Sequence, residues 1–204
     1  MRSHTTFAVV NIMNNFTLFF PLGIGHIVSL SALDHILFIT ALCLRYQWRD
    51  WKKLLVLVTA FTIGHSLTLT LSTLNIINLP TALTEFFIAV TILFTSINNL
   101  YMRSFQFNQK YPLIYFYAMV FGLIHGLGFS TLLKNMLGKN ENIIGQLLSF
   151  NLGIEAGQLF IVAIILLLSF IFGVLKFNRR DYVVFVSGGI AALAIEMMIE
   201  RFPV

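Results

Sequence analysis

Long apolar runs separated by short polar segments make up most of this chain. Six of the runs reach the roughly 20 mainly apolar residues that a membrane-spanning helix requires. Sustained alternation of apolar and polar residues in segments of about ten, which is typical of membrane strands, does not occur. The pattern predicts an all-α, polytopic transmembrane bundle with about six spans, at residues 22–44, 52–74, 80–101, 112–133, 146–174 and 182–202.

A further apolar stretch precedes the first predicted span. Three asparagines interrupt it, and it has one basic residue and no small-residue cleavage site, so it is not typical of a signal peptide. We interpret residues 5–20 as an interfacial or partly inserted helix that Pro21 ends. The expected organisation is an interfacial segment at 1–21 followed by a single membrane domain at 22–204.

The composition supports a membrane location. Hydrophobic residues make up 58% of the 204 residues and charged residues 10%, against roughly 25% charged in soluble domains. The net charge of +5 comes from basic residues in short loops, which fits anionic lipid headgroups better than nucleic acid. The single cysteine, Cys43, excludes an internal disulfide and a cysteine-rich metal cage. We expect the lipid bilayer as a partner and no nucleic acid, and the sequence leaves a homo-oligomer open.

Lys and Arg are unequally divided between two sets of loops. Nine follow the first, third and fifth predicted spans, and four lie on the opposite side. The positive-inside rule predicts that the nine face the cytoplasm and that both termini lie outside. The nine are Arg45, Arg49, Lys52, Lys53, Arg103, Lys110, Lys176, Arg179 and Arg180, and the four are Arg2, Lys134, Lys139 and Arg201.

Several ionisable residues lie within the predicted spans. A charge at the centre of a bilayer costs about 2.5–3.5 kcal/mol, so such residues normally face the interior of a bundle. Asp34 and His35 fall near the middle of the first span, and His26 falls two turns nearer the outside. The candidate metal-binding residues are His26, Asp34, His35, His65, His125 and Glu155.

Other polar residues could support that set. Asn151 and Gln158 share one helical face with Glu155, within roughly 60° of one another. Glu85 lies one to two turns inside the third span, where it could reach the outer interface. Pairs of glycines at four-residue spacing bracket His125 and Glu155, and such spacing lets helix backbones approach closely in lipid. We therefore expect several polar faces to meet inside the bundle.

Imidazoles and carboxylates without thiolates favour divalent first-row metals. Adjacent residues of a regular helix point about 100° apart, so Asp34 and His35 cannot readily bind the same ion. One of them could bind the ion while the other hydrogen-bonds a neighbour. For any single histidine, a satisfied interhelical hydrogen bond is the more common explanation, and His26 could equally be interfacial. Five polar residues buried on four helices make that explanation hard to hold for the whole set.

At these residues the chain resembles the HupE/UreJ family of bacterial membrane proteins. Four blocks carry the resemblance, in order, from about residue 20 to residue 160. Relatives often have glycine where this chain has Ala32. The blocks are Leu22-Gly-Ile-Gly-His26-Ile through Asp34-His35-Ile-Leu-Phe38, Leu57-Val-Thr-Ala-Phe-Thr-Ile-Gly-His65-Ser-Leu-Thr-Leu69, Phe121-Gly-Leu-Ile-His125-Gly-Leu-Gly-Phe129 and Phe150-Asn-Leu-Gly-Ile-Glu155-Ala-Gly-Gln158.

The resemblance implies a multi-pass protein of the bacterial inner membrane that acts as a nickel or cobalt permease. In our leading hypothesis an ion enters past His26, near Glu85, and reaches a central site. Nickel or cobalt is the expected ion, with zinc as a further option. The chain has no Walker-type nucleotide motif, so we expect no nucleotide and a facilitator or secondary carrier.

Two other classes of function use the same residues. An intramembrane metalloenzyme of the zinc hydrolase type would bind zinc through histidines and use a carboxylate as base. A b-type haem protein would use His65 and His125 as axial ligands. We rank the transporter first, the metalloenzyme second and the haem protein last, because haem does not need the surrounding carboxylates.

Overall fold

Within the described residues, every regular element is helical, which confirms the predicted all-α class. Seven α-helices and two short 3-10 turns, at Leu30–Ala32 and Trp48–Asp50, make up the fold. The computed structural model describes residues 16–102, 112–129, 133 and 143–203. The helices are α1 (Phe16–Val28), α2 (Leu33–Cys43), α3 (Trp51–Thr73), α4 (Thr81–Tyr101), α5 (Pro112–Gly128), α6 (Ile143–Val174) and α7 (Arg179–Glu200).

Some predictions fall outside the described residues. They are the part of the predicted N-terminal helix before residue 16, the end of the predicted fourth span, and five of the basic loop residues. Those five are Arg2, Arg103, Lys110, Lys134 and Lys139.

The membrane character is confirmed, but the count of six spans is not. Four helices, α3, α4, α6 and α7, are long and apolar enough to cross a membrane. A fifth span results if α1 and α2 are counted together. Helix α5 has 17 residues, or about 26 Å of length against a hydrocarbon core of about 30 Å. The described residues therefore contain four to five candidate spans.

The predicted first span, 22–44, is wrong as a single helix. The chain leaves helical geometry at Ser29, whose ψ is 148°, and α1 and α2 meet at an angle of 59°. The hydroxyls of Ser29 and Ser31 lie 2.7 Å apart. The Ser29 side chain does not cap the following turn, and serine favours a helix interior less than leucine does.

The expectation that Pro21 ends the first helix is also wrong. Helix α1 continues through Pro21 to Val28. Proline removes one backbone donor and its ring clashes with the preceding turn. Tight packing offsets that cost here, since Gly23 lies against the backbone of Phe150 and Gly153 with no room for a Cβ atom.

The glycines predicted to allow close packing do so on two helix pairs. A Cβ atom at Gly122 or Gly126 would overlap the backbone of α3 at Phe61 or His65. Gly153 packs in the same way against Phe20 of α1. The predicted close packing at both glycine pairs is confirmed, and it fixes α5 on α3 and α6 on α1.

Several of the predicted cytoplasmic basic residues meet at one end of the bundle, called the basic end below. Arg45 is 7% exposed and donates from Nε and Nη2 to Asn99 Oδ1, at 3.3 and 3.2 Å. Asn99 Nδ2 donates to the Ala41 carbonyl at 2.6 Å. Arg179 donates to the Arg45 carbonyl, and Arg180 donates to the Met102 carbonyl. These contacts tie α2, α4 and α7 together where each begins or ends.

Candidate metal centre

The break between α1 and α2 brings two histidines together. His26 lies in the last turn of α1 and His35 in the first turn of α2. In one straight helix, nine positions would place them on opposite faces and about 13.5 Å apart along the axis. Their ring centroids instead lie 4.8 Å apart. His26 therefore lies beside His35, and the expectation that it lies two turns nearer the outside is wrong.

His65 on α3 completes a group of three. Its ring centroid lies 6.0 Å from that of His26 and 5.7 Å from that of His35. One nitrogen from each of the three histidines lies within 4.8 Å of the others. A tetrahedral ion with bonds of about 2.1 Å needs nitrogens about 3.4 Å apart. The widest nitrogen pair thus needs to close by up to about 1.4 Å around an ion, and the three rings form a looser arrangement than a structural metal cage.

His125 on α5 extends the group to four, called the histidine cluster below. Its ring centroid lies 5.2 Å from that of His35. Its Nε2 lies 3.0 Å from Thr91 Oγ1, and that hydroxyl donates to the Ile88 carbonyl at 2.7 Å. With its proton engaged there, Thr91 accepts a hydrogen bond from Nε2–H. This tautomer leaves the Nδ1 lone pair of His125 available to a cation, as an outer-shell partner does in metal sites.

Aromatic rings pack against the histidine cluster, and three of its four histidines are buried. His65 and His125 have no exposed surface and His35 is 5% exposed. The ring of Phe129 lies 3.7 Å from that of His26, and the ring of Phe38 lies 4.8 Å from that of His125. This setting has a low dielectric, in which polar groups interact strongly with a charge.

Several ring nitrogens of the cluster have no hydrogen-bond partner among the described residues. They are Nε2 of His26, Nε2 of His35, both nitrogens of His65, and Nδ1 of His125. A buried polar atom without a partner costs about 1–3 kcal/mol. A neutral imidazole has one nitrogen with a free lone pair, so the converging nitrogens of His26, His35 and His65 can together offer up to three lone pairs to a cation.

The two carboxylates expected at the centre lie outside the group of three histidines. Asp34 Oδ2 instead accepts from Arg201 Nη1 at 2.8 Å. Glu155 accepts from Thr59 Oγ1 at 3.0 Å, which links α6 to α3. The neighbouring residues Asp34 and His35 diverge because adjacent positions on a helix point about 100° apart. The expected convergence is seen for the imidazoles and not for these acids.

The supporting polar residues are distributed between two places. Gln158 is fully buried and its Oε1 accepts from Thr62 Oγ1 at 2.7 Å. Asn151 is half-buried on the same helix. Glu85 lies on α4, with its Oε2 3.9 Å from Arg201 Nε. Gln158 therefore joins α6 to α3, and Glu85 belongs with Asp34.

A cavity of about 520 Å³ lies between three members of the histidine cluster and two carboxylates. His26, His35 and His125 line it together with Asp34 and Glu85. Exposed residues at the α1–α2 break, Gly25 and Ser31 among them, also line it. We call Asp34, Glu85 and Arg201 the carboxylate mouth. An ion in this cavity would meet carboxylate oxygens first and imidazole nitrogens deeper in the bundle.

Two contributors to this arrangement were not expected from the sequence. Arg201 follows α7 and was assigned only a role in topology, although it holds Asp34 from 167 positions away. Thr91 orients His125, and its place on a threonine-rich face of α4 was the available signal. Burial lowers the pKa of Arg201, but its hydrogen bond to Asp34 and the neighbouring acids outweigh burial and raise it. Arg201 therefore carries a positive charge.

Comparison with known sequences adds one finding. The sequence model described as HupE / UreJ protein matches residues 2–201, nearly the whole chain. Neither the curated proteins nor the solved structures contain a significant match to the chain.

Proposed function

This chain belongs to the HupE/UreJ family, and we propose from this premise that it carries a divalent transition-metal ion across the membrane through its histidine cluster. The family is associated with nickel and cobalt transport, so these two ions are the proposed cargo. The observation that carries the proposal is the convergence of His26, His35 and His65, from three helices, on one buried point.

The chemistry of the cluster suits a cargo that must also leave. Imidazole nitrogens bind nickel, cobalt and zinc well. Conduction requires a site strong enough to attract an ion and weak enough to release it. The nitrogens are spaced more widely than in a tight cage, and neither Asp34 nor Glu155 belongs to the group of three. Such a site binds with moderate affinity.

The proposed location is the bacterial inner membrane, with the basic end in the cytoplasm. Arg45, Arg179 and Arg180 lie together at that end, as the positive-inside rule requires of cytoplasmic loops. In this orientation the carboxylate mouth faces outward, where it attracts cations before they reach the histidines.

The experiment is uptake of nickel and cobalt into liposomes that contain the purified protein and a metal-sensitive dye. We expect uptake by the wild type and its loss in the His65→Ala variant, because the cluster loses one of its three closest ligands. Ser187→Ala is the matched control, since Ser187 is also fully buried but lies on α7 outside the cluster. Failure of the wild type to move either metal would overturn the proposal, as would full uptake by His65→Ala.

A further inference from the structure

Arg201 links the end of α7 to the N-terminal parts of α2 and α4. It follows the last residue of α7, and its backbone N–H donates to the Met197 carbonyl at 3.0 Å. Its side chain reaches across to α2 and α4, where Nη1 lies 2.8 Å from Asp34 Oδ2 and Nε lies 3.9 Å from Glu85 Oε2. The Arg201 and Asp34 side chains are 25% and 15% exposed. The pair is therefore screened by salt less than a surface ion pair.

The acids that Arg201 contacts are the acids of the cavity. Asp34 and Glu85 line it together with three members of the histidine cluster. Two carboxylates and one guanidinium leave a net charge of −1 at the mouth. A metal ion that enters must therefore share these carboxylates with a cation that the protein itself supplies.

We propose that Arg201 is a specificity-determining residue, a tethered cation that competes with the incoming metal for Asp34 and Glu85 and gives way to a dication. This inference rests on the proposed metal transport. In the absence of metal the guanidinium donates to Asp34 and lies near Glu85, and when a dication binds at the mouth the Arg201 side chain moves off Asp34. The backbone hydrogen bond of Arg201 to Met197 can persist, so only the side chain has to move.

The competition favours doubly charged ions. A guanidinium does not lose its proton in proteins, so the pair does not open by deprotonation of Arg201, and a metal ion that binds Asp34 must displace the guanidinium. At equal distance a dication attracts a carboxylate twice as strongly as a monovalent ion does. Sodium and potassium ions therefore cannot displace Arg201 as well as nickel or cobalt ions can. Asp34 directly precedes His35 in α2. A metal ion that displaces Arg201 from Asp34 is therefore bound beside a member of the histidine cluster.

The test is concentration-dependent nickel uptake into liposomes by the wild type, Arg201→Lys and Arg201→Gln. Removing the competing cation lowers the half-saturating nickel concentration about tenfold in Arg201→Gln, the size expected for a hydrogen bond between charged groups. The maximal rate is not raised. The half-saturating nickel concentration of Arg201→Lys lies between those of the wild type and Arg201→Gln, because lysine keeps the positive charge but lacks the planar fork of arginine. Arg180→Gln is the control, since Arg180 lies at the opposite end of α7 and should leave half-saturation unchanged.

A double variant separates competition from a merely structural role. If Arg201 acts through the carboxylates, then Arg201→Gln in an Asp34→Asn background should lower half-saturation by no more than about twofold. Should Arg201→Gln fail to fold, Arg201→Lys alone decides, and a half-saturation equal to or above that of the wild type overturns the proposal. An unchanged or higher value in Arg201→Gln overturns it too, while leaving metal transport intact. A wild type that moves neither nickel nor cobalt overturns both.

Discussion

Three members of the histidine cluster and the two acids of the carboxylate mouth line the same cavity, but the cluster and the mouth satisfy their polar groups in opposite ways. At the mouth the protein provides its own counter-charge, since Arg201 holds Asp34 at 2.8 Å and approaches Glu85. In the cluster, five ring nitrogens have no partner among the described residues. The mouth thus pairs Asp34 with an arginine of the chain and keeps a net charge of −1, whereas the cluster leaves ring nitrogens unpaired among the described residues.

The contrast separates residues expected to stabilise the bundle from residues expected to bind a metal ion. Contacts that close helix pairs stabilise the fold, and unpaired buried nitrogens reduce its stability in exchange for binding. Variants at the two kinds of position should therefore change different measurements.

Helix packing should be the most sensitive feature. In Gly122→Ala the new methyl group would overlap the backbone of α3, so the helices must separate, at a cost of about 3 kcal/mol or more. We expect loss of monodisperse protein or a large fall in melting temperature. Gly188→Ala is the matched control, because a Cβ there meets nothing within 4 Å, and alanine favours a helix by up to about 1 kcal/mol over glycine. Equal stability of the two variants would contradict the close packing of α5 on α3.

Replacing a central histidine by an apolar residue should separate binding from stability. In His65→Leu the chain loses two ring nitrogens that have no partner among the described residues. The free energy of unfolding should therefore stay level or rise by up to about 1–3 kcal/mol, and the melting temperature should follow it. Metal uptake should disappear in the same protein. Differential scanning fluorimetry beside the uptake assay measures both. A strong fall in melting temperature would indicate that His65 is a structural residue whose contacts stabilise the fold.

Thr91 should have an intermediate effect through His125. Thr91→Val removes the oxygen that accepts from His125 Nε2 but keeps the shape of the side chain. Loss of such outer-shell partners typically reduces metal affinity 10–100-fold, and we expect about tenfold weaker nickel binding by calorimetry. Thr95→Val is a fair comparison, since its hydroxyl donates to the Thr91 carbonyl within α4. Equal losses in both variants would argue against a role for the Thr91–His125 contact.

Glu155 should give the smallest effect. Its carboxylate accepts from Thr59 and lies outside the group of three histidines, so Glu155→Gln keeps an acceptor for that hydroxyl. We expect nickel uptake within about threefold of the wild type, as for loss of one partly exposed charge-assisted bond. A loss as complete as that of His65→Ala would restore Glu155 to the list of ligands that the sequence predicted.

The sequence indicated the helices and the burial of His35, His65 and His125 because both follow from composition within one segment. Apolar runs predicted α3, α4, α6 and α7 closely, and glycine spacing predicted close packing at Gly122 and Gly126 without indicating that α3 is the partner. The break after Val28 was missed because two serines in an apolar run are a weak signal. Packing in the bundle can keep such a segment helical or break it. The break nevertheless determines the site, since without it His26 and His35 would face away from each other.

The carboxylates could not be assigned from the sequence for a different reason. Helical spacing shows which residues share a face, but it does not show which partner that face meets. Asp34 pairs with Arg201 across 167 positions, and Glu155 pairs with Thr59 across 96. Such pairings depend on how the helices rotate against each other, which no local pattern encodes.

The central claim is that imidazoles from three helices bind one metal ion. X-ray absorption at the nickel edge of the nickel-loaded protein tests it directly. We predict at least two imidazole nitrogens at about 2.1 Å from the ion, with that signal reduced in His65→Leu. A shell made only of oxygen ligands, or a spectrum unchanged in His65→Leu, would contradict the account.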